Sequence, residues 1–357
     1  MDGRPSALLK PVGGSGRSAP SQRLRRSLQL GFFLLFVSAP LLDLLRFDLH
    51  ETQLWLFGQP WHLGLDAVQH GRASGADAAL NLLLKALLPI VFVVGGFLFV
   101  AWRYGRLYCG WLCPHFSIVE LLNDLLHRAI GKLSLWDRLP VKRAGRRPDG
   151  RWWPVFGLAC ALLGFVWAIT LASYLLPPRE LWSGLWHGTL TPNQARFIGI
   201  GTLVFTAEFA FARHLFCRFG CAVGLFQSLM WMANPKGMVV AFKREQARDC
   251  KSCDISPGLS GSACDTACPM RLNPRNIKRM MFSCVQCGQC LDACESSQGR
   301  REKAPLLEWQ VGIEAVRETL RQKKLEAQQL AQSGDLPAGR ATQAPATNDT
   351  RPDREAA

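Results

Sequence analysis

Four long apolar blocks divide the chain, at residues 28–45, 79–102, 152–176 and 197–216. Each has roughly the 17–25 residues that a helix needs to cross a bilayer. Pro40 and Pro89 lie inside the first two blocks, and membrane helices tolerate proline better than soluble helices do. The pattern predicts an α-helical membrane protein with four transmembrane helices.

Shorter stretches follow the second and fourth blocks. In the first stretch the polar residues recur at intervals of three and four, at Glu120, Asn123, Asp124, His127 and Arg128. This spacing puts them on one helical face, so we predict a helix over residues 116–130 that lies in the membrane interface. The stretch at 223–232 is shorter and more apolar.

A Cys-x3-Cys pair, preceded by an aromatic residue, begins each of these stretches. The pairs are Cys109 with Cys113, and Cys217 with Cys221. The membrane region, residues 23–234, therefore consists of two parallel repeats, each with two spans, a cysteine pair and an interfacial segment. Parallel repeats are related by an axis along the membrane normal, so we expect the four thiols to meet on one side of the bundle.

The charged residues predict an orientation. Arg17, Arg23, Arg25 and Arg26 precede the first block, and more Lys and Arg follow the second, whereas the loops 47–78 and 177–196 contain few. By the positive-inside rule both termini and the middle loop are cytoplasmic in a multi-pass protein of the bacterial inner membrane. The net charge of +15 is divided among alternate loops, which argues against a nucleic-acid partner. Residues 1–22 are predicted to form a disordered basic tail, and we expect this tail to bind the anionic lipid of the membrane surface.

Eight cysteines lie between Cys250 and Cys294, in two runs. The first run contains Cys250, Cys253, Cys264 and Cys268, and the second contains Cys284, Cys287, Cys290 and Cys294. The second run has the compact spacing of bacterial [4Fe–4S] ferredoxins, in which the last cysteine of each run ligates the other cluster. Disulfides are disfavoured in the cytoplasm, and zinc sites space their ligands more widely.

The spacing therefore predicts two [4Fe–4S] clusters. The ligands of cluster A would be Cys250, Cys253, Cys264 and Cys294, and those of cluster B would be Cys284, Cys287, Cys290 and Cys268. We expect a cytoplasmic, two-cluster, ferredoxin-like α+β domain over residues 235–305. Residues 306–357 would form a polar helix followed by a disordered tail.

The chemistry of the membrane cysteine pairs is open at this stage. Cys109, Cys113, Cys217 and Cys221 could hold a third cluster, bind Cu(I) together with Met230 and Met232, or act as a redox dithiol. Nearby basic residues, Arg106, Arg218 and His214, would favour the thiolate form.

Glu208 is the best candidate for a catalytic group within the membrane. Intramembrane carboxylates are costly and usually functional, and quinol oxidation needs a protonatable group at this depth. The structural alternative for Glu208 is an ion pair with Arg213 or His214. His115 is expected to be a solvated interfacial residue.

The assembled motifs resemble the NapH-like polyferredoxins, and most closely the FixG/CcoG/RdxA family of accessory proteins for cbb3-type oxidases. The residues that carry the resemblance are Cys109-Gly-Trp-Leu-Cys113-Pro114, Cys217-Arg-Phe-Gly-Cys221 and the run from Cys284 to Cys294. The resemblance implies electron transfer by membrane-bound clusters. Proteins of the FixG-like family are expected to continue into a further span and an immunoglobulin-like domain, for which we find no matching segment in this sequence.

The two branches of this superfamily imply different partners. The FixG-like branch implies copper reduction in support of oxidase assembly, and the NapH-like branch implies quinol oxidation that supplies a reductase. The partners would be a respiratory oxidase or reductase and a cytoplasmic or quinol electron donor. A non-redox module that docks such an enzyme at the membrane is a third possibility.

Overall fold

The structure is a computed structural model that describes residues 20–49, 53–61, 74–136, 148–250, 262–276 and 278–333. The predicted C-terminal tail from residue 334, most of the predicted N-terminal tail and Cys253 lie outside the described residues. The helices are α1 (Pro20–Ser38), α2 (Gly75–Tyr104), α3 (Leu107–Trp111), α4 (Pro114–Ile130), α5 (Trp152–Leu175), α6 (Pro178–His187), α7 (Pro192–Ala212), α8 (Ala222–Ala233), α9 (Ala247–Cys250), α10 (Ala263–Ala267), α11 (Gln289–Gly299) and α12 (Ile313–Ser333). The strands are β1 (Leu45–Asp48), β2 (Gln53–Leu56), β3 (Gln59–Trp61), β4 (Val239–Phe242) and β5 (Leu307–Gln310).

Among the described residues, three helices are long and apolar enough to cross a membrane: α2, α5 and α7. They correspond to the second, third and fourth predicted blocks. The first block forms a different structure, because α1 ends at Ser38 and the chain turns through Asp43, whose φ is 52°, into strand β1. The structure therefore has three candidate spans by length and composition where the hydropathy pattern predicts four.

Helices α5 and α7 pack closely through small residues. A Cβ atom added at Gly164 would lie 2.6 Å from Thr206 Oγ1, and one added at Gly201 would lie 3.2 Å from Ala168 Cβ. Small residues at a helix interface let the two backbones approach, as is common in membrane bundles. Helix α2, by contrast, buries only Ala101 over residues 88–104, and it packs against α8.

Helix α1 packs against α4 and α3 and contacts α5 near its own C-terminus. Near its C-terminus, the Phe36 ring stacks on Trp167 with ring centroids 5.1 Å apart, and Tyr174 Oη donates to the Phe36 carbonyl. Near its N-terminus, Gln22 Nε2 donates to the Cys287 carbonyl at 3.0 Å. Helix α1 thus joins the second cysteine run at one end to the far end of α5 at the other.

Helix α4 is more deeply buried than the amphipathic pattern indicates. Its apolar face packs against α5 and α1, as expected, but Asn123 and His127 from the predicted polar face are also buried. Arg213 Nε donates to Asn123 Oδ1 at 3.1 Å. Other segments therefore cover part of its predicted polar face, and its place in the membrane interface stays a prediction.

The cysteine-rich segment is closed by a pair of strands. Strands β4 and β5 pair antiparallel, with Val239 opposite Gln310 and Phe242 opposite Leu307. Between them, α10 packs against α11. Since β5 pairs with β4, we extend the ferredoxin-type domain from the predicted boundary at residue 305 to Gln310. The polar helix predicted beyond it is present as α12.

Candidate iron–sulfur centres

Four thiols line one cavity, which we call cavity B: Cys268, Cys284, Cys287 and Cys290. The turn that carries three of them needs left-handed backbone, with φ of 50° at Gln286 and 77° at Gly288. This winding turns successive cysteines toward a common centre. The Leu272 amide also donates to Cys268 Sγ at 3.4 Å. Burial raises the pKa of the Cys284 thiol to about 12, so a positive centre is needed to hold these groups as thiolates.

A second cavity, cavity A, is lined by Cys250, Cys264 and Cys294 together with Arg275. The Leu306 amide donates to Cys294 Sγ at 3.4 Å, and Arg275 Nη1 lies 3.7 Å from Cys250 Sγ. Arg275 is also paired with Asp265 at 2.6 Å. The fourth predicted ligand of cluster A, Cys253, lies outside the described residues.

The grouping follows the crossover of a two-cluster ferredoxin. Cys268, from the first run, lies with the second run in cavity B, and Cys294, from the second run, lies in cavity A. Their assignment as cluster ligands stays a prediction.

The donor sets fit [4Fe–4S] clusters. Among the described residues no three His, Cys, Asp or Glu side chains converge closely enough to hold a single metal ion. The thiolates of a cubane bind four separate iron atoms, so they are spaced more widely than the ligands of one ion. The two thiol-lined cavities therefore suit clusters.

The membrane cysteine pairs occupy equivalent places in the two repeats. Cys109 lies in α3 and Cys217 in the turn 216–220, while Cys113 and Cys221 are the residues that precede α4 and α8. The second cysteine of each pair thus precedes a helix N-terminus. The amides of His115 and Phe116 donate to the Cys113 thiol.

The membrane cysteines and cavity B belong to one apolar core. Cys109 and Cys217 are buried in the same cluster of side chains as Cys268 and Cys287, and Cys113 and Cys284 pack against it. The four thiols of the two pairs also interact electrostatically with one another. The structure thus brings the two pairs together, next to the ferredoxin-type domain.

Burial changes the expected chemistry of these thiols. It raises the pKa of Cys109 and raises that of Cys113 to about 12, although the Arg106 guanidinium opposes the rise at Cys109. The expectation that basic neighbours favour the thiolate is therefore outweighed by desolvation in the metal-free protein. A bound metal centre would reverse this balance, because coordinated thiols are deprotonated.

The turn between Cys109 and Cys113 presses directly on the cavity B loop. A Cβ atom at Gly110 would lie 2.1 Å from the Val285 carbonyl oxygen and 3.2 Å from the Cys287 amide nitrogen. Trp111 Nε1 donates to the Gln286 carbonyl at 3.0 Å. Only glycine permits this approach of two backbones.

A buried ion pair holds this contact from the side. Arg25, which is 1% exposed, makes a bidentate pair with Glu120 at 2.7 and 2.9 Å. Arg25 and Gln29 also donate to the Gly110 carbonyl, and Gln289 donates to Glu120. We call the side chains that make these contacts the α1 clamp: Gln22, Arg25, Gln29, Glu120 and Gln289.

The α1 clamp is not predicted by the charge pattern, in which Arg25 is one of several basic residues before the first apolar block. The available signal was the spacing of Gln22, Arg25 and Gln29, which puts three polar groups on one face of a largely apolar helix.

Glu208 makes a contact that was not foreseen. Its Oε2 atom lies 3.1 Å from His115 Nε2, and His115 Nδ1 lies 3.5 Å from Cys217 Sγ. His115 is buried among Trp167, Phe209 and Phe216, so the expectation of a solvated histidine is wrong. The carboxylate is therefore linked through one imidazole to a membrane cysteine.

Comparisons with known proteins point to iron–sulfur chemistry. A family described as a 4Fe–4S binding domain matches residues 86–132 and 193–237, the two segments that contain the membrane cysteine pairs. The chain is 28% identical to Protein RdxA of Cereibacter sphaeroides over 60% of this chain and 45% of that protein. It is 25% identical to the protein YccM of Escherichia coli over 63% of this chain and 56% of YccM. No solved structure matches.

A third relative is described as a ferredoxin-type protein. The methylamine utilization ferredoxin-type protein MauN of Methylorubrum extorquens is 26% identical over 67% of this chain and 78% of MauN. The chain spans about half the length of RdxA and YccM. The duplicated family match and these relatives agree with the motifs on which the resemblance was based. The chain is therefore similar to FixG/RdxA-like 4Fe–4S proteins.

Proposed function

We propose that the protein is a membrane-anchored electron carrier with two [4Fe–4S] clusters in its ferredoxin-type domain and a further redox site at the membrane cysteine pairs. The observation that carries the proposal is the common core of Cys109, Cys217, Cys268 and Cys287. When bound, a [4Fe–4S] cluster supplies one-electron transfer. The ligands would be Cys268, Cys284, Cys287 and Cys290 in cavity B, and Cys250, Cys253, Cys264 and Cys294 in cavity A.

For the membrane site we favour a cluster over the alternatives of Cu(I) and a redox dithiol. The 4Fe–4S family match covers both Cys109 with Cys113 and Cys217 with Cys221, which supports this choice. The chain supplies four mutually interacting thiols there, two of them at helix N-termini, where an anionic centre is favoured.

We further propose that α1 is a fourth span and that the ferredoxin-type domain is cytoplasmic. Near its N-terminus α1 buries Gln22, Arg25 and Gln29 while Leu24, Leu28 and Leu30 are exposed. A polar interior with an apolar exterior is the arrangement of a helix in lipid. With four spans, both termini lie on the same side of the membrane, which the basic residues identify as the cytoplasmic side.

The first proposed role is reduction of copper in support of oxidase assembly, as the FixG-like resemblance implies. A specific observation favours a second role, quinol oxidation. The contact from Glu208 through His115 to Cys217 joins a carboxylate near the end of α7 to the thiol site. A quinol would need such a group because its oxidation releases protons.

The test uses the full-length protein purified anaerobically in detergent. Iron and sulfide analysis and EPR of the dithionite-reduced protein should show two clusters or more, and absence of reducible clusters would refute electron transfer. Excess dithionite is then removed, Cu(II) is added, and loss of the EPR signal is followed. In a separate sample a short-chain quinol is added to the oxidised protein, and gain of the EPR signal is followed.

The two additions separate the roles. Reoxidation of the clusters by Cu(II) without reduction by the quinol supports copper reduction, and reduction by the quinol without reoxidation by Cu(II) supports the quinol role. Clusters that dithionite reduces but that react with neither Cu(II) nor the quinol would favour a docking module. A Cys109→Ser/Cys113→Ser variant should block the reaction that the wild type shows, whereas Cys160→Ala, in a separate buried core, serves as the matched control.

A further inference from the structure

Arg106 links the two cysteine pairs through the interior of the protein. It directly precedes α3 in the first repeat, its side chain is 2% exposed, and its Nη2 atom donates to the Cys217 carbonyl in the second repeat at 2.7 Å. The guanidinium is therefore buried inside the protein, beside the turn that carries Cys217.

The second repeat is shaped to receive this guanidinium. A Cβ atom at Gly224, in the first turn of α8, would lie 2.2 Å from Arg106 Nη2 and 2.8 Å from its Cζ. Any other residue at position 224 would push the guanidinium away from the turn that carries Cys217.

The guanidinium of Arg106 faces cysteine thiols. In the described part of the chain it forms no ion pair with a carboxylate, and its Nε atom is buried without a hydrogen-bond partner. It interacts electrostatically with Cys109 and Cys217 of the membrane pairs and with Cys284 of cavity B. Arg25 differs in this respect, since Glu120 neutralises it.

We propose that Arg106 is a shared cation for the membrane thiol site and cavity B, and that it raises the reduction potential of the centres bound there. The inference rests on the proposed electron-transfer function. Reduction adds one electron to a centre while no atom moves, so the negative charge facing Arg106 increases. A nearby cation in a low-dielectric interior stabilises the reduced form. Arginine stays protonated in proteins, so its charge is constant.

The test is an EPR-monitored redox titration of the purified full-length protein with dithionite as the reductant. Arg106→Gln should make reduction of the affected centres at least tenfold less favourable. For a one-electron couple this lowers the midpoint potential by about 59 mV or more. Arg106→Lys, which keeps a cation, should be closer to the wild type. The matched control is Arg128→Gln, which removes an arginine that is paired with Asp124 at 2.8 Å and is partly exposed, and it should leave the potentials unchanged.

The outcomes separate the inference from the proposed function. A wild-type protein without reducible clusters refutes the proposed function. Wild-type potentials in an Arg106→Gln protein that retains its iron and sulfide overturn the role of Arg106 alone. If Arg106→Gln loses its clusters, Gly224→Ala provides the measurement, because it displaces the guanidinium without removing it. A lowered potential in that variant supports the inference, and an unchanged one overturns it.

Discussion

Cavities A and B have similar ligands but different surroundings. Cavity B shares a core with the membrane cysteines and is covered by α1 and by the turn at Gly110. Cavity A belongs to a second core built by β4, β5 and α11. It borders on Arg275, which is 38% exposed. The ferredoxin-type domain thus has one site that faces the membrane region and one that faces outward.

The two cavities depend on different segments of the chain. The described residues around cavity A come from the ferredoxin-type domain itself. The cavity B loop is also held by residues from two membrane-domain segments, α1 and α3. Changes in the membrane domain should therefore affect cavity B first, and the predictions below test that asymmetry.

The largest effect is expected when a ligand is removed. Cys287→Ser should abolish the cluster in cavity B and stop electron transfer between the ferredoxin-type domain and a membrane-side acceptor. Cys264→Ser should remove the cluster in cavity A first, because Cys264 lines cavity A and not cavity B. Iron content and EPR of each variant measure the loss. Equal loss of both clusters in Cys264→Ser would contradict the independence of the two sites.

The second-largest effect is expected when the ion pair of the α1 clamp is broken. Glu120→Ala would leave Arg25 buried without its partner, and breaking a buried pair in this way costs about 3–5 kcal/mol. We expect a lower unfolding temperature and faster loss of iron from cavity B than from cavity A when a chelator is added. Glu295→Ala, at an exposed position, is the control. Parallel iron loss from both cavities would count against a local role.

A smaller effect is expected at the backbone contact. Gly110→Ala should force the Val285 carbonyl away, since the new Cβ would lie 2.1 Å from it. Overpacking of this kind costs about 1–3 kcal/mol. Stability should fall, and so should the rate of EPR signal loss on addition of the acceptor. Gly157→Ala in α5 meets nothing within 4 Å and should be neutral; a rate unchanged by Gly110→Ala would refute the importance of this contact.

The smallest effect is expected at the outward site. Arg275→Gln removes a partly exposed pair with Asp265, and such pairs contribute less than about 1 kcal/mol. Water also screens the charge near Cys250, so the potential of the cluster in cavity A should shift less than Arg106→Gln shifts that in cavity B. Redox titration of both variants makes the comparison. A larger shift in Arg275→Gln would reverse the proposed ranking.

Sequence spacing predicted what depends on residues close together in the chain. The seven described cysteines of the two runs line the two expected cavities, because the exchange of the last cysteine of each run is a general feature of two-cluster ferredoxins. The cysteine pairs were found for the same reason. Hydropathy also located α2, α5 and α7, since composition alone determines whether a helix suits lipid.

The contacts that sequence analysis missed join distant segments. Arg25 meets Glu120, His115 meets Glu208, and Gly224 receives Arg106. Helical periodicity shows that Asn123 and His127 share a polar face, but it contains no information on what covers that face. Hydropathy averages likewise hide the turn at Asp43, so the first block was extended beyond Ser38.

The pairing of β4 with β5 has a consequence for biosynthesis. The two strands flank the cysteine-rich segment, and they can pair only when Leu307–Gln310 has left the ribosome and meets Val239–Phe242. The membrane helices precede these strands in the chain and can insert into lipid before they pair. Iron and sulfide would therefore be delivered to a nascent domain already tethered at the membrane, and their insertion would be one of the last steps in maturation.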